Sequence, residues 1–292
     1  MTDPVTAAFG DRLAEAIALH GPLCVGIDPH EYLLDEWALP STAIGAHDFG
    51  MRVLDACVGE VAIIKPQVAF YERFGSAGYR ALEDLFAAAR SAGLLVLADA
   101  KRGDLGSTLA AYATAWLQPG SPLEADAVTV APYLGFGSLE VVLETARIHG
   151  KGAFVLSATS NPEAAELQTS AVRRGSTEGS TVAGSIAELV ARHDAETYHG
   201  DRLGSIGVVL GATVDFADLG VDLELLAEAP GVPVLAPGFG HQGARVEDIK
   251  TLFGPSAPNT LVAESRSILA AGPSGIVAAV RQQKQQVMEA VA

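Results

Sequence analysis

Residues Leu94–Thr108 read LLVLADAKRGDLGST. The opening Leu94-Leu95-Val96-Leu97-Ala98 is continuously apolar, the signature of a parallel strand buried on both faces, and it points to an α/β fold. Side chains alternate along a strand, so Asp99 and Lys101 point to the same side. Asp104 follows where the strand has ended and Gly103 allows a turn. Two carboxylates are thus set around an ammonium at the end of a buried strand, where charge is costly unless it is paired or used. The bare spacing also fits a structural ion pair, so its surroundings decide the reading.

Outward from this strand, short apolar runs alternate with helical patterns. Further strands are expected at Leu23–Asp28, Val61–Lys65, Ala127–Ala131, Ala153–Ser157, Ile206–Leu210, Val232–Ala236 and Thr260–Ala263. Helical spacing links Phe49, Val53, Leu54, Cys57 and Val58, then Tyr79, Leu82, Leu85, Phe86 and Ala89. It recurs at Leu139, Val142, Leu143 and Ala146, at Ile186, Leu189 and Val190, and at Ile276, Val277 and Val280. Eight strands each followed by a helix, with no low-complexity linker, predict one (β/α)8 barrel domain over residues 1–292. An open doubly wound sheet is the runner-up, but Asp28-Pro29-His30 is not the Gly-rich turn it would favour after its first strand. Phe9, Leu13, Ala16 and Ile17 predict an extra helix before the barrel. Two connections are long, 29–46 and 158–180, and such loops are either functional or merely mobile.

The chain has 292 residues, 49% of them hydrophobic, and 31 glycines, which suits a large core with many tight turns. Its net charge of −16 argues against nucleic-acid and anionic-membrane partners, while leaving room for an anionic small molecule held by a few local cations. Cys24 and Cys57 lie in apolar contexts and read as buried, reduced thiols. No apolar run approaches the ~20 residues of a membrane-spanning helix, and the N-terminus lacks a basic-then-apolar leader pattern. A cytoplasmic protein is expected.

Reactive groups of a (β/α)8 barrel sit at the C-terminal ends of its strands. Here those ends carry Asp28, Lys65, Asp99 and Lys101 on three successive strands, with Ser157–Asn161 after the fifth. Lys65, Asp99, Lys101 and Asp104 form an alternating charged set in which each carboxylate keeps a lysine ionised. Two Asp could instead chelate Mg²⁺, but two lysines in the same mouth oppose a divalent cation, so no metal is expected. After the seventh strand, Pro237-Gly238-Phe239-Gly240-His241-Gln242-Gly243 can bring backbone N–H groups close to an oxyanion. Arg266 follows the eighth. Loops after strands 7 and 8 are the recurrent phosphate site of this fold.

With these residues in order, the chain resembles the orotidine 5′-phosphate decarboxylase family from Val25 to about Ala271. Asp99-Ala100-Lys101-Arg102-Gly103-Asp104-Leu105 is similar to the family signature, Lys65 in Ile64-Lys65-Pro66 to its strand-2 lysine, and Asp28 to its strand-1 aspartate. Pro237-Gly238, Gln242 and Arg266 resemble its phosphate-binding positions. Thr159-Ser160-Asn161-Pro162 and Gly211-Ala212-Thr213 are most similar to the longer bacterial branch, and Ser160 is taken as the base contact.

The resemblance implies loss of CO₂ from C6 of orotidine 5′-monophosphate to give UMP, in pyrimidine biosynthesis and without a cofactor. Lys101 would stabilise the C6 carbanion and then protonate it. Asp99 would lie near the substrate carboxylate, Lys65 would hold the network and a ribose hydroxyl, Asp28 would accept from the ribose, and Asp104 would orient Lys101. The resemblance also implies a homodimer in which Asp104 and Thr108 reach into the neighbouring pocket. Two alternatives remain open. A Mg²⁺-dependent sugar-phosphate decarboxylase or aldolase of the same barrel type would carry a carboxylate where Lys65 stands. A non-catalytic nucleotide-binding barrel could dispense with Lys101.

Overall fold

The computed structural model describes residues 7–292; residues 1–6, the start of the expected 1–292 domain and of the N-terminus read for a leader, lie outside the described residues. Eight parallel strands close into a barrel in chain order, with β8 hydrogen-bonded back to β1. They are β1 (Leu23–Ile27), β2 (Ile63–Pro66), β3 (Leu95–Arg102), β4 (Ala127–Val130), β5 (Gly152–Ala158), β6 (Ile206–Leu210), β7 (Val234–Pro237) and β8 (Thr260–Glu264). Helix α1 (Phe9–His20) precedes β1, which is followed by α2 (Glu31–Glu36) and α3 (Ala43–Cys57). After β2 come α4 (Ala69–Glu72) and α5 (Gly75–Ser91), after β3 α6 (Gly106–Leu117), and after β4 α7 (Glu140–His149). After β5 come α8 (Ala164–Gln168) and α9 (Val182–Thr197). The ring thins after β6 and β7, where α10 (Leu223–Ala227) and α11 (Ile249–Phe253) are single short turns. It closes with α12 (Arg266–Leu269) and α13 (Gly272–Val291).

Every expected strand falls on a strand, with differences only at the ends. β2 begins at Ile63 rather than Val61, and β7 at Val234 rather than Val232. Val61 and Val232 are both buried, so the apolar pattern there reports burial and not ladder pairing. Val58 and Val277 do not face the core; they are 41% and 43% exposed. Val58 caps the C-terminus of α3, and Val277 is turned away from the stripe formed by Ile276 and Val280.

Alternation along the strands makes two cores. Leu23, Val25 and Ile27 face the helices, as do Val96 and Ala98, and Val128 and Val130. Cys24, Ile63, Leu95, Leu97, Ala127 and Phe154 point into the barrel. Helix α1 closes the base of that interior with Phe9, Leu13 and Ala14. Phe9 meets Phe154 edge-on at 6.2 Å, and Gly152 makes room, since a Cβ there would stand 2.3 Å from the Phe9 ring. Burial of Phe9 and Leu13 contributes about 1.5–3 kcal/mol each. With the base filled by apolar side chains, the remaining inward positions lie at the strand C-termini, where the sequence becomes polar.

Candidate active site

A cavity of about 530 Å³ opens at the C-terminal mouth of the barrel. The inward alternation that places Cys24, Ile63 and Leu97 in the apolar interior continues upward to Asp28, Lys65 and Asp99, all of which line the cavity together with Lys101. Leu156, Val209 and Leu235 supply an apolar wall.

Asp99 is the centre of the polar wall. Lys65 Nζ donates to its Oδ2 at 2.9 Å, and Lys101 Nζ and Thr129 Oγ1 donate to its Oδ1 at 2.6 and 2.9 Å. Burial disfavours the Asp99 charge, but the two ammonium groups outweigh it and hold the carboxyl well below its usual range. For Lys65, burial likewise opposes ionisation, and the charges of Asp99 and Asp28 overcome it and raise its pKa. The side chain of Lys65 is 10% exposed and that of Lys101 46%, so Lys65 is locked while Lys101 still faces the cavity.

Lys101 stands on a distorted backbone. Its φ of +49° lies in the left-handed region, which costs a non-glycine residue about 1–2 kcal/mol. The β3–β4 register shifts between Ala98 and Arg102, and the Lys101 N–H donates to Thr129 Oγ1 at 2.9 Å. Arg102 faces the helices: its Nη1 donates to Ala100 O at 3.0 Å, and it pairs with Glu72, which also accepts from Tyr79 Oη. Gly103 does not act as a left-handed turn. Its role is close approach, because a Cβ there would stand 2.4 Å from Ala131 O, and the positive φ falls at Gly106.

Not every expected site residue joins this group. Asp104 does not reach Lys101 within the chain; its Oδ1 accepts from Leu105 N at 2.8 Å because the chain has already turned out along α6. Asp104 and the exposed Thr108 are absent from the cavity wall and stand on its rim, so the in-chain network is Lys65–Asp99–Lys101. Asp28 does line the cavity, and its Oδ1 is buried without a hydrogen-bond partner among the described residues. Ser160, Pro237, Gly238, Gln242 and Arg266 all line it as well. Gly238 has a φ of +118° and packs on Ala212, which seats the β7 loop against the end of β6. Of the long 158–180 connection, Thr159, Ser160 and Asn161 reach the cavity; the remainder folds outside it as α8 and a bridge between Ala171 and Thr181.

Wall residues that were not singled out from the sequence include Gln67, Thr129, His30 and Glu264. Gln67 lies two positions beyond Lys65, and Thr129 is the one polar residue of β4, so strand alternation could have found both. His30 rests on Phe70 with ring centroids 4.2 Å apart. Burial lowers its pKa, Asp28 opposes that shift, and Arg266 and Arg73 reinforce it. Glu264 accepts from Ser267 and from Gln283 of α13, and burial raises its pKa against those hydrogen bonds.

The site therefore offers an ammonium open to the cavity and paired with the Asp99 carboxylate, with a glycine loop and a guanidinium on the same cavity wall. Residues 21–282 match the orotidine 5′-phosphate decarboxylase / HUMPS family. An orotidine 5′-phosphate decarboxylase of Corynebacterium efficiens is 48% identical over 269 residues, covering 92% of each chain. That of a Nocardioides species is 50% identical over 261 residues, covering 89% of this chain and 91% of the relative. A crystal structure from Streptomyces avermitilis, assigned to the same activity, superposes with a TM-score of 0.91 at 43% identity, covering 100% of this chain and 98% of that one.

Proposed function

The chain belongs to the orotidine 5′-phosphate decarboxylase family, and on that premise we propose how its own residues carry the conversion of orotidine 5′-monophosphate to UMP and CO₂. The observation that carries the reading is Asp99, fixed between a locked Lys65 and a Lys101 that remains open to the cavity. The substrate carboxylate lies against Asp99, and the C6–carboxylate bond breaks with its electron pair left on C6. The Lys101 ammonium faces that developing charge. At an effective dielectric of about 20, a unit pair about 4 Å apart gains about 4 kcal/mol. Lys101 Nζ then gives C6 its proton and is reprotonated from solvent.

Lys65 and Asp28, both on the cavity wall, hold the ribose. Gln242, Arg266 and the backbone at Pro237-Gly238 take the phosphate, and Ser160 takes the base. Binding energy from the phosphate closes the glycine loop and supports chemistry at C6. Lys65 at the end of β2 replaces the carboxylate that a Mg²⁺-dependent enediolate enzyme would need there.

Asp104 and Thr108 act across a homodimer. The rim they occupy is apolar: Leu105, Tyr133 and Leu134 are 56%, 79% and 49% exposed. The loops after β3 and β4 that carry these residues lie side by side through Gly103 and Ala131. Exposed apolar side chains on two neighbouring loops favour a second copy. The chain works as a single barrel domain in the cytoplasm, in keeping with its two free, buried cysteines, whose thiols burial pushes up to about 12. Among the described residues no helix is long and apolar enough to cross a membrane.

The deciding assay follows loss of orotidylate absorbance with purified protein in excess EDTA. Turnover at an undiminished rate is expected. Absence of turnover overturns the reading, and turnover that needs added Mg²⁺ overturns its cofactor-free form.

A further inference from the structure

We propose that Thr129 is a positioning residue for the decarboxylation, its hydroxyl holding the Lys101 backbone and the Asp99 carboxylate in one fixed relation. The inference rests on the reading of Lys101 and Asp99 as the reacting pair.

One oxygen makes both contacts. Thr129 Oγ1 accepts from Lys101 N at 2.9 Å and donates to Asp99 Oδ1 at 2.9 Å. The roles cannot be exchanged, because a backbone N–H only donates and an ionised carboxylate only accepts. The hydroxyl rotor is therefore set by its neighbours, and Thr129 is 1% exposed. The contact also falls where the backbone needs it. The β3–β4 ladder pairs Ala98 with Val128 and resumes only at Arg102 with Val130. In the gap, the Lys101 N–H turns to the Thr129 side chain in place of a strand carbonyl, at the residue whose φ is +49°. A strained conformation persists only where its surroundings over-determine it. Lys101 Nζ itself bonds Asp99 Oδ1 at 2.6 Å, so Thr129 fixes both the root of the lysine and the partner of its tip. Threonine suits the task because its branched Cβ stiffens χ1 within a strand.

The test compares Thr129→Val with Thr129→Ser, measuring kcat, KM for orotidylate, UMP affinity and Tm. Valine keeps the shape and the β-branch and removes both hydrogen bonds. We expect kcat to fall about 10- to 100-fold, the equivalent of losing one or two charge-linked hydrogen bonds, with KM and UMP affinity within about threefold and Tm little changed. Serine restores the hydroxyl and should bring kcat back to within about fivefold of wild type. A wild-type kcat in Thr129→Val overturns the proposal, as does equal damage by valine and serine. A raised KM at unchanged kcat assigns Thr129 to substrate contact instead, and also overturns it. If the valine variant does not fold, Thr129→Ala takes its place: impaired alanine with active serine supports the role, and equal rates overturn it. Lys101→Ala is run alongside. Full activity there sinks the reading of Lys101, whereas an inactive Lys101→Ala beside a wild-type-like Thr129→Val sinks the positioning role alone.

Discussion

Asp99 and Asp126 stand at opposite ends of the barrel, 7% and 6% exposed, each between two cations. Asp99 takes Lys65 at 2.9 Å and Lys101 at 2.6 Å. Asp126 takes Arg12 at 2.6 Å and Lys151 at 3.9 Å. At the base the further contacts go to the scaffold: Asp126 Oδ2 accepts from Val96 N, Arg12 Nη2 donates to Gly150 O, and Lys151 pairs with Glu124. At the mouth one cation is left half open, since the Lys101 side chain is 46% exposed where that of Lys151 is 7%. Burial of the acid does not separate the ion pair proposed to react from a structural one. What separates them is where the cation's unused hydrogens point.

If that distinction holds, damage at the mouth costs chemistry and damage at the base costs stability. The largest effect is expected for Lys101→Ala, with kcat down about 10³-fold or more while Tm and UMP affinity change little. Retained turnover in the purified variant would break the comparison at once. A mixing experiment then asks whether the mouth belongs to one chain or two. Lys101→Ala and Asp104→Ala subunits, each inactive alone, should regain about a quarter of wild-type activity after proven exchange, because half the dimers would hold one intact site of two. No recovery despite exchange, followed by mass spectrometry of tagged chains, assigns both residues to one pocket.

Arg266→Ala should lower kcat/KM about 10- to 100-fold through a lost charge-assisted phosphate contact. The corresponding nucleoside, which lacks the phosphate, should be nearly indifferent to the change. Equal losses for both substrates would remove Arg266 from the phosphate site. At the base, Arg12→Met should leave kcat unchanged and lower stability by about 2 kcal/mol in urea titration. A fall in kcat without loss of stability would reverse the contrast.

The smallest effect is expected at Asp194, another acid at the base, which is fully buried and has its Oδ2 unpartnered among the described residues. Burial raises its pKa well above the usual value, with a backbone hydrogen bond from Ile206 opposing. The sign follows from which state ionises first. Below the ordinary carboxyl range both folded and unfolded chains are protonated and the group is neutral to stability. As pH rises, the unfolded chain ionises while the folded one resists, and stability is lost. Asp194→Asn should therefore gain about 1 kcal/mol at pH 7, with the gain vanishing toward pH 4 in calorimetry. A gain independent of pH would show that packing, not charge, limits Asp194.

Much of this protein is legible in one dimension. Period-two alternation within eight apolar runs and the helical spacing between them determine the barrel, since few other arrangements bury both faces of every strand. The same alternation assigns Asp28, Lys65, Asp99 and Lys101 to one mouth, and the positions of the glycine run and Arg266 after the last two strands bring them to the same cavity. Thr129 was missed because Val-Thr-Val is as good a strand as three valines; only the break in the β3–β4 register turns its hydroxyl into a partner for Lys101. Asp126 gave no signal because Arg12 lies 114 positions away and arrives only when α1 seals the base. Asp104 looked continuous with Asp99 and Lys101, yet the left-handed turn at Lys101 and the close packing of Gly103 on Ala131 carry it out to the rim. Sequence determined which side chains face inward, because that is a local property of the strand. Tertiary structure decided which of them meet, because each distance depends on register, backbone strain and elements far apart in the chain.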